Sequence, residues 1–273
     1  MIKAFNYFGS KNSPSIARWI ISNLPRHDRY LEPFGGSAAI LLNKPRCQEE
    51  IYSDIYHPAS FFLACLNLNP ARLIGEIEWL LENVNEPRLF VRNVPEVRER
   101  SLFEAAYFYL YCHYSWSGGG TNWSSGFSSD AADPAFWHLI ETSDRIQNVT
   151  IQQKDAFEAI REFPDDERSL IYADPTYLPT ARKSKDDRVK DKVNSMSRRR
   201  YAHELSIEQH IELAGLLQNR SAIVSGYESE VYETFYFGWE KRSMKHAGDT
   251  EYIWISPVAQ EMRSQLSFDF SVK

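Results

Sequence analysis

A short strand that runs into a glycine pair and then a helix, followed by a second strand ending in an acid, restricts a chain to few architectures. Here Tyr30-Leu31-Glu32-Pro33 has the character of a strand end and Phe34-Gly35-Gly36-Ser37 that of a turn. Ala38-Ala39-Ile40-Leu41-Leu42 continues as a helix that buries small and aliphatic side chains, and Glu50-Ile51-Tyr52-Ser53 is a second strand ending at Asp54. This is the opening of a βαβ unit and predicts an α/β fold with a Rossmann-like sheet. The pattern resumes with Val149-Thr150-Ile151 before Asp155, and with Ser169-Leu170-Ile171-Tyr172-Ala173, which delivers Asp174-Pro175-Thr176-Tyr177 at its carboxyl end. Ala222 to Ser225 and Thr250 to Ile255 read as late strands.

Helix signals frame these strands. Ser13 before Pro14 predicts a capped helix over Ile16 to Leu24, and Ser206 with Gln209 predicts a capping box for a helix reaching about Gln218. From about Pro58 to Trp137 the periodicity is helical, broken by a glycine- and serine-rich aromatic stretch from Ser115 to Phe127 that reads as a hairpin or exposed loop. The expected organisation is therefore an α/β domain formed by residues 1–56 and 141–273. It is interrupted by a mainly helical insertion over 57–140 that carries a hairpin near 115–127.

Composition narrows the class. Hydrophobic residues make up 43% of the chain, enough for a sizeable core, and no apolar run approaches the ~20 residues that span a bilayer. The opening residues lack a secretory pattern, so a cytoplasmic chain with no membrane partner is expected. Cys47, Cys65 and Cys112 are widely spaced and suggest thiols, with no disulfide frame and no metal site. The formal net charge of −6 argues against a generic polyanion binder. Yet between Arg182 and Arg200 nine Lys or Arg face three Asp, a local +6 that leaves −12 on the remainder. That segment, ending in Arg198-Arg199-Arg200, reads either as a phosphate-facing element or as a solvated charged loop.

Open α/β sheets bind ligands beyond the carboxyl ends of their strands. The residues at those ends are Gly35-Gly36, Asp54, Asp155 and Asp174. A glycine pair lets backbone approach a ligand, and Asp54, 18 residues after Gly36, lies near the ~20 at which an acid accepts ribose hydroxyls in a nucleoside-binding βαβ unit. Pro175 restricts Asp174 to an extended conformation. The Asp174 carboxylate and the Pro175 carbonyl would then suit the two hydrogens of an aromatic amine, whose lone pair is otherwise delocalised into its ring. Tyr177 can stack on a base. The same residues also read as ordinary strand-exit turns. His210 reads as a packing or surface histidine, the Tyr107 to Tyr111 aromatics as core, and Trp239 and Trp254 as structural.

Taken together, Tyr7-Phe8-Gly9-Ser10-Lys11, Glu32-Pro33-Phe34-Gly35-Gly36-Ser37, Asp54, Asp174-Pro175-Thr176-Tyr177 and the stretch from Tyr201 through Ser206 and Gln209-His210 to Leu217 occur in one order. In that order they resemble the Dam-type, D12-class adenine-N6 DNA methyltransferases of bacteria and phages. The resemblance implies S-adenosyl-L-methionine as cofactor, with Tyr7 and Lys11 helping to hold it and Lys11 near its amino-acid end. It implies Phe34, Gly35 and Gly36, with Ser37 alongside, at the methionine moiety, Asp54 at the ribose, and Asp155 with Phe157 at the adenine. It further implies Asp174, Pro175 and Tyr177 as catalytic residues, and double-stranded DNA as partner, read by the helical insertion after the target adenine is flipped from the stack. A monomer or weak dimer, without metal, is expected.

Two departures stand out. The family's catalytic motif is usually Asp-Pro-Pro-Tyr, and Thr176 takes the place of the second proline. In related enzymes the hairpin carries an Arg two residues before an Asn. Here Gly120 precedes Asn122 at that spacing, so the family's GATC preference does not carry over. Trp116, Asn122 and Trp123 in that loop, with Arg198, Arg199 and Arg200, are the expected DNA contacts. The same residues leave open methyl transfer to RNA or to a protein amide, and a decayed homologue that only binds DNA.

Overall fold

The computed structural model describes residues 1–7, 9–84, 90, 101–114, 135–177, 203–226, 228–246 and 249–269. The chain begins with α1 (Pro14–Asn23), β1 (Arg29–Glu32), α2 (Ala39–Asn43) and β2 (Glu49–Ser53). The helices α3 (His57–Leu68), α4 (Pro70–Asn83), α5 (Leu102–Tyr114) and α6 (Ala135–Ile146) separate β2 from β3 (Val149–Gln152). Then come α7 (Ala156–Glu162), β4 (Ser169–Ala173), α8 (Ile207–Leu217), β5 (Ala222–Gly226) and α9 (Glu230–Phe235), followed by β6 (Glu240–His246), β7 (Asp249–Ile255) and α10 (Pro257–Asp269). Among the described residues no helix is long and apolar enough to cross a membrane.

One seven-stranded sheet has the order β3-β2-β1-β4-β5-β7-β6. The five strands β1 to β5 run parallel, and β7 joins antiparallel between β5 and β6. β4 and β5 are buried at every position, as strands covered on both faces must be, and their near-continuous apolar runs are what made them legible. The expected α/β sheet is present. β6 was not foreseen, because Glu240-Lys241-Arg242-Ser243-Met244-Lys245-His246 lacks an apolar run. It forms the sheet edge, where such charged side chains oppose pairing with another chain.

The order reverses between β1 and β4, which are adjacent in the sheet but far apart in the chain. A crevice forms at such a switch point because the connections leave the two strands in opposite directions. The glycine turn follows one of these strands and Asp174 the other.

Side chains alternate across the sheet. Tyr30, Tyr52, Leu170 and Tyr172 point into one core with α1 to α6, while Leu31, Ile171, Ala173 and Val224 point into the other with α7, α8 and Trp254. Helices α3 to α6 thus pack in the same core as one face of the sheet, and α6 runs unbroken through position 140. Tyr107, Phe108 and Tyr109 are core residues, as expected, and Trp239 and Trp254 are buried.

A buried charge cluster ties α6 to the sheet. Glu50 on β2 accepts from Lys44 Nζ at 2.6 Å, and from the two terminal nitrogens of Arg145 on α6 at 2.6 and 2.8 Å. Arg145 also donates to the carbonyl of Leu41. Burial alone would raise the Glu50 carboxyl, but these hydrogen bonds and charges reverse the effect and hold it below the usual range.

One local expectation is corrected. Ser13 occupies the N-cap position of α1 but makes no side-chain cap bond. Its hydroxyl instead meets Ser15 Oγ at 3.1 Å and His246 Nε2 at 3.0 Å. The capping box of α8 is present as read, with Ser206 and Gln209 each bonding the other's backbone N–H.

Candidate active site

The turn after β1 leaves no room for side chains. A Cβ on Gly35 would fall 2.1 Å from the Tyr52 ring, and Gly36 has φ +47° with its Cβ position 3.2 Å from Tyr7. Tyr52, buried beneath the turn, donates its hydroxyl to the Gly36 carbonyl at 2.8 Å. Asp54 fixes the other side, its two oxygens accepting from Gly36 N at 2.7 Å and Tyr56 N at 2.8 Å. Burial raises its carboxyl above the usual range despite these donors.

Glu32, the last residue of β1, is buried and accepts from the Tyr30 hydroxyl at 2.8 Å and Leu41 N at 2.9 Å. Burial pushes its carboxyl up to about 8, against the pull of those two donors. The folded state therefore holds a proton that the unfolded chain releases, so Glu32 makes stability fall as pH rises from the normal carboxyl range to about 8. Glu32→Gln mimics the protonated acid. Its melting temperature is expected to match the wild type near pH 5 and to exceed it near pH 8, with melting scans between about pH 5 and 8 as the check.

At the end of β4, Asp174 enters a cluster not foreseen in full. Lys11 Nζ lies 2.9 Å from Asp174 Oδ1, 2.6 Å from the Tyr177 hydroxyl and 3.5 Å from Glu251 Oε1. The Tyr177 hydroxyl is within reach of both acids, 3.0 Å from Asp174 Oδ1 and 3.1 Å from Glu251 Oε1. Lys11 is 7% exposed, so its charge is balanced within the cluster rather than by solvent. Burial raises the Glu251 carboxyl, Lys11 lowers it and Asp174 raises it, for a net upward shift.

Thr176 has a place of its own. Its Oγ1 accepts from Leu205 N at 2.9 Å, and its carbonyl lies 3.0 Å from His210 Nε2. A carbonyl only accepts, so Nε2 carries the hydrogen. Burial lowers the His210 pKa, which keeps the ring neutral. His210 is a packing histidine, as expected, set edge-on to Tyr232. It is also a clamp on the segment between Asp174 and Tyr177. Proline at 176 would offer no acceptor to Leu205. Thr176→Val keeps the shape and loses the acceptor, and is expected to cost about 1 kcal/mol in denaturant unfolding, with thermal melting as a second check.

A single cavity of about 390 Å³ joins these parts. Every residue expected on the cofactor side lines it: Tyr7, Lys11, Phe34, Gly35, Gly36, Ser37, Asp54, Asp155 and Phe157. Asp174 and Thr176 line it too, with Glu32, Tyr172 and His203, to which no role was assigned beforehand. Asp155 caps α7 through one oxygen, which accepts from Phe157 N and Glu158 N. Of the expected catalytic residues Pro175 and Tyr177 are buried and absent from the lining; Tyr177, 8% exposed, stands behind the wall with its hydroxyl in the Lys11 cluster, so the expected stacking face is turned away from the cavity. Trp116, Asn122, Trp123, Arg198, Arg199 and Arg200 lie outside the described residues. Among the described residues no group of three or more His, Cys, Asp or Glu could hold a metal ion.

Glu251 was missed as a site residue because its relevance depends on which strands become neighbours. Glu32 and Tyr52 carried a local signal, being the strand residues flanking the glycine turn.

The model of the family described as D12 class N6 adenine-specific DNA methyltransferase matches residues 7–192. No curated protein matches the chain.

Proposed function

The chain belongs to the D12 class N6 adenine-specific DNA methyltransferase family, and from that premise we propose that it transfers a methyl group from S-adenosyl-L-methionine to N6 of an adenine flipped out of double-stranded DNA. One observation carries this reading: the glycine turn after β1 and Asp174 after β4 open into the same cavity. Its volume falls within the range of small-molecule sites. The residues suit such a cofactor, since the glycine turn lines the cavity with no side chain projecting into it and part-buried Asp54, also in the lining, offers further lone pairs to hydroxyls. Phe34 with the two glycines and Ser37 would hold the methionine moiety, Asp54 the ribose, and Asp155 with Phe157 the adenine ring. When bound, the cofactor supplies an electrophilic methyl group on a sulfonium.

The chain's own part is to prepare the amine. Asp174 and the Pro175 carbonyl accept its two hydrogens, which favours a pyramidal nitrogen with a localised lone pair. Lys11, paired to Asp174 at 2.9 Å, orients that carboxylate. Flipping costs a few kcal/mol; Tyr177, buried behind the cavity wall with its hydroxyl bound to Lys11, is not placed to stack on the flipped base and serves the site through that hydroxyl. The insertion over 57–140 is proposed to read the target, with Trp116, Asn122 and Trp123 at the duplex and Arg198 to Arg200 on phosphates.

The test is transfer of labelled methyl groups to duplex DNA, to RNA and to protein, with the DNA digested to nucleosides for mass spectrometry. N6-methyladenine in the duplex sample is the expected product. Label confined to RNA or protein, or none in any sample, refutes the assignment.

A further inference from the structure

Methylation of a neutral amine leaves one proton too many. The N–CH3 bond forms with the nitrogen lone pair, the S–CH3 bond breaks with its electrons going to sulfur, and the nitrogen must then release a hydrogen as a proton. Asp174 is the first acceptor within the proposed geometry, yet it is held by Lys11, and its 17% exposed side chain opens into the cavity that the substrate itself would fill. A protonated Asp174 would weaken its pairing with Lys11 and block the next turnover until the proton left.

The neighbouring bonds provide an exit. From Asp174 Oδ1 to the Tyr177 hydroxyl is 3.0 Å, and from that hydroxyl to Glu251 Oε1 is 3.1 Å, so the phenol has one hydrogen and two carboxylates competing for it. Lys11 Nζ, 2.6 Å from the phenol oxygen, favours build-up of negative charge there while a hydrogen moves. Glu251 lies on β7, outside the βαβ units that build the cofactor side, and reaches the cluster because β7 pairs with β5. Its side chain is 14% exposed and, unlike Asp174, is not part of the cavity lining, so its exposed part stays open when the cavity is filled.

Resting on the functional reading above, we propose that Glu251 is a positioning residue that receives the surplus proton through Tyr177. Asp174 takes the proton from N6 and passes it to the Tyr177 oxygen as the Tyr177 hydrogen moves to Glu251 Oε1. Glu251 then hands it to water, and Asp174 returns to its ionised form. No oxidant or further reactant is needed. Among the described residues the charged and titratable groups facing Glu251 are Lys11 from the N-terminal segment, Asp174 and Tyr177 after β4, and Tyr172 on β4 itself. Its upward-shifted carboxyl suits a terminal acceptor, because the proton is held long enough to leave Asp174 free.

The alternative is that Glu251 only balances the charge of Lys11. Glu251→Gln separates the two, since the amide keeps an oxygen for the phenol and cannot take a proton. Two readouts apply. In the protein without cofactor, tyrosine labelled with 13C at Cζ is followed by NMR across pH, with Tyr177→Phe assigning the resonance. The relay predicts a step in the Tyr177 shift as Glu251 titrates, and no such step in Glu251→Gln. In single-turnover transfer to duplex DNA, Glu251→Gln is expected to be slower by roughly a hundredfold, the low end of what a positioned proton acceptor contributes. Its cofactor affinity stays unchanged, and its acid limb reflects one ionising group where the wild type shows two. Glu251→Asp restores a carboxyl and is expected to recover part of the rate. A Glu251→Gln protein that keeps the wild-type rate and acid limb overturns the relay while leaving the methyltransferase assignment standing. A wild type that methylates no adenine overturns both.

Discussion

Glu50→Leu is expected to cost the fold about 3–5 kcal/mol, the usual loss when one partner of a buried ion pair is removed. The carboxylate is 5% exposed and is the shared acceptor for Lys44 and Arg145, themselves at 0% and 6%. Taking it away leaves two buried cations facing each other. The damage reaches the architecture, since Arg145 sits on α6, Lys44 follows α2, and Glu50 is on β2 beside the glycine turn's own strand. The sign with pH follows from the lowered Glu50 carboxyl. Its contribution is complete above the normal carboxyl range and fades as pH falls, so the gap between wild type and Glu50→Leu should narrow on acidification. Denaturant unfolding at several pH values measures both. An equally stable Glu50→Leu protein would mean that the cluster carries no net energy.

Asp174→Ala is expected to lower methyl transfer by roughly 10³-fold or more, in line with removal of a preorganised group that acts on the reacting centre. The substitution deletes the proposed acceptor for one amine hydrogen and unpairs Lys11, which has Glu251 and the Tyr177 hydroxyl to fall back on. That fallback predicts a folded protein. Cofactor affinity should stay within a few-fold, because the glycine turn, Asp54 and Asp155 hold the other end of the cavity. Calorimetry with S-adenosyl-L-methionine beside single-turnover transfer separates the two effects. Transfer at the wild-type rate would remove Asp174 from the chemistry.

Most of what builds the cavity could be read from the chain because its signals are local. A strand, two glycines, a small-residue helix and an acid 18 residues on each constrain backbone within a few positions. The same holds for Asp174-Pro175 after a fully apolar strand and for the capping box of α8. That the two halves meet depends on the switch between β1 and β4, an adjacency of distant strands that no local signal gives. What escaped was non-local. β6 is too polar to announce itself, and Glu251 gains its place only through the pairing of β7 with β5. His210 matters because α8 packs its ring against the carbonyl of Thr176. Thr176 looked like a departure in the motif, yet its hydroxyl receives a backbone donor that proline could not satisfy. Ser13 looked like a cap and turned instead to His246, a partner from the opposite end of the chain.

A crystal structure with S-adenosylhomocysteine bound gives the most direct test of the shared cavity. Its sulfur is expected between the Gly35-Gly36 backbone and Asp174, with the ribose at Asp54 and the adenine ring beside Asp155. A ligand found elsewhere on the protein, or one whose sulfur is walled off from Asp174, would contradict the proposed chemistry.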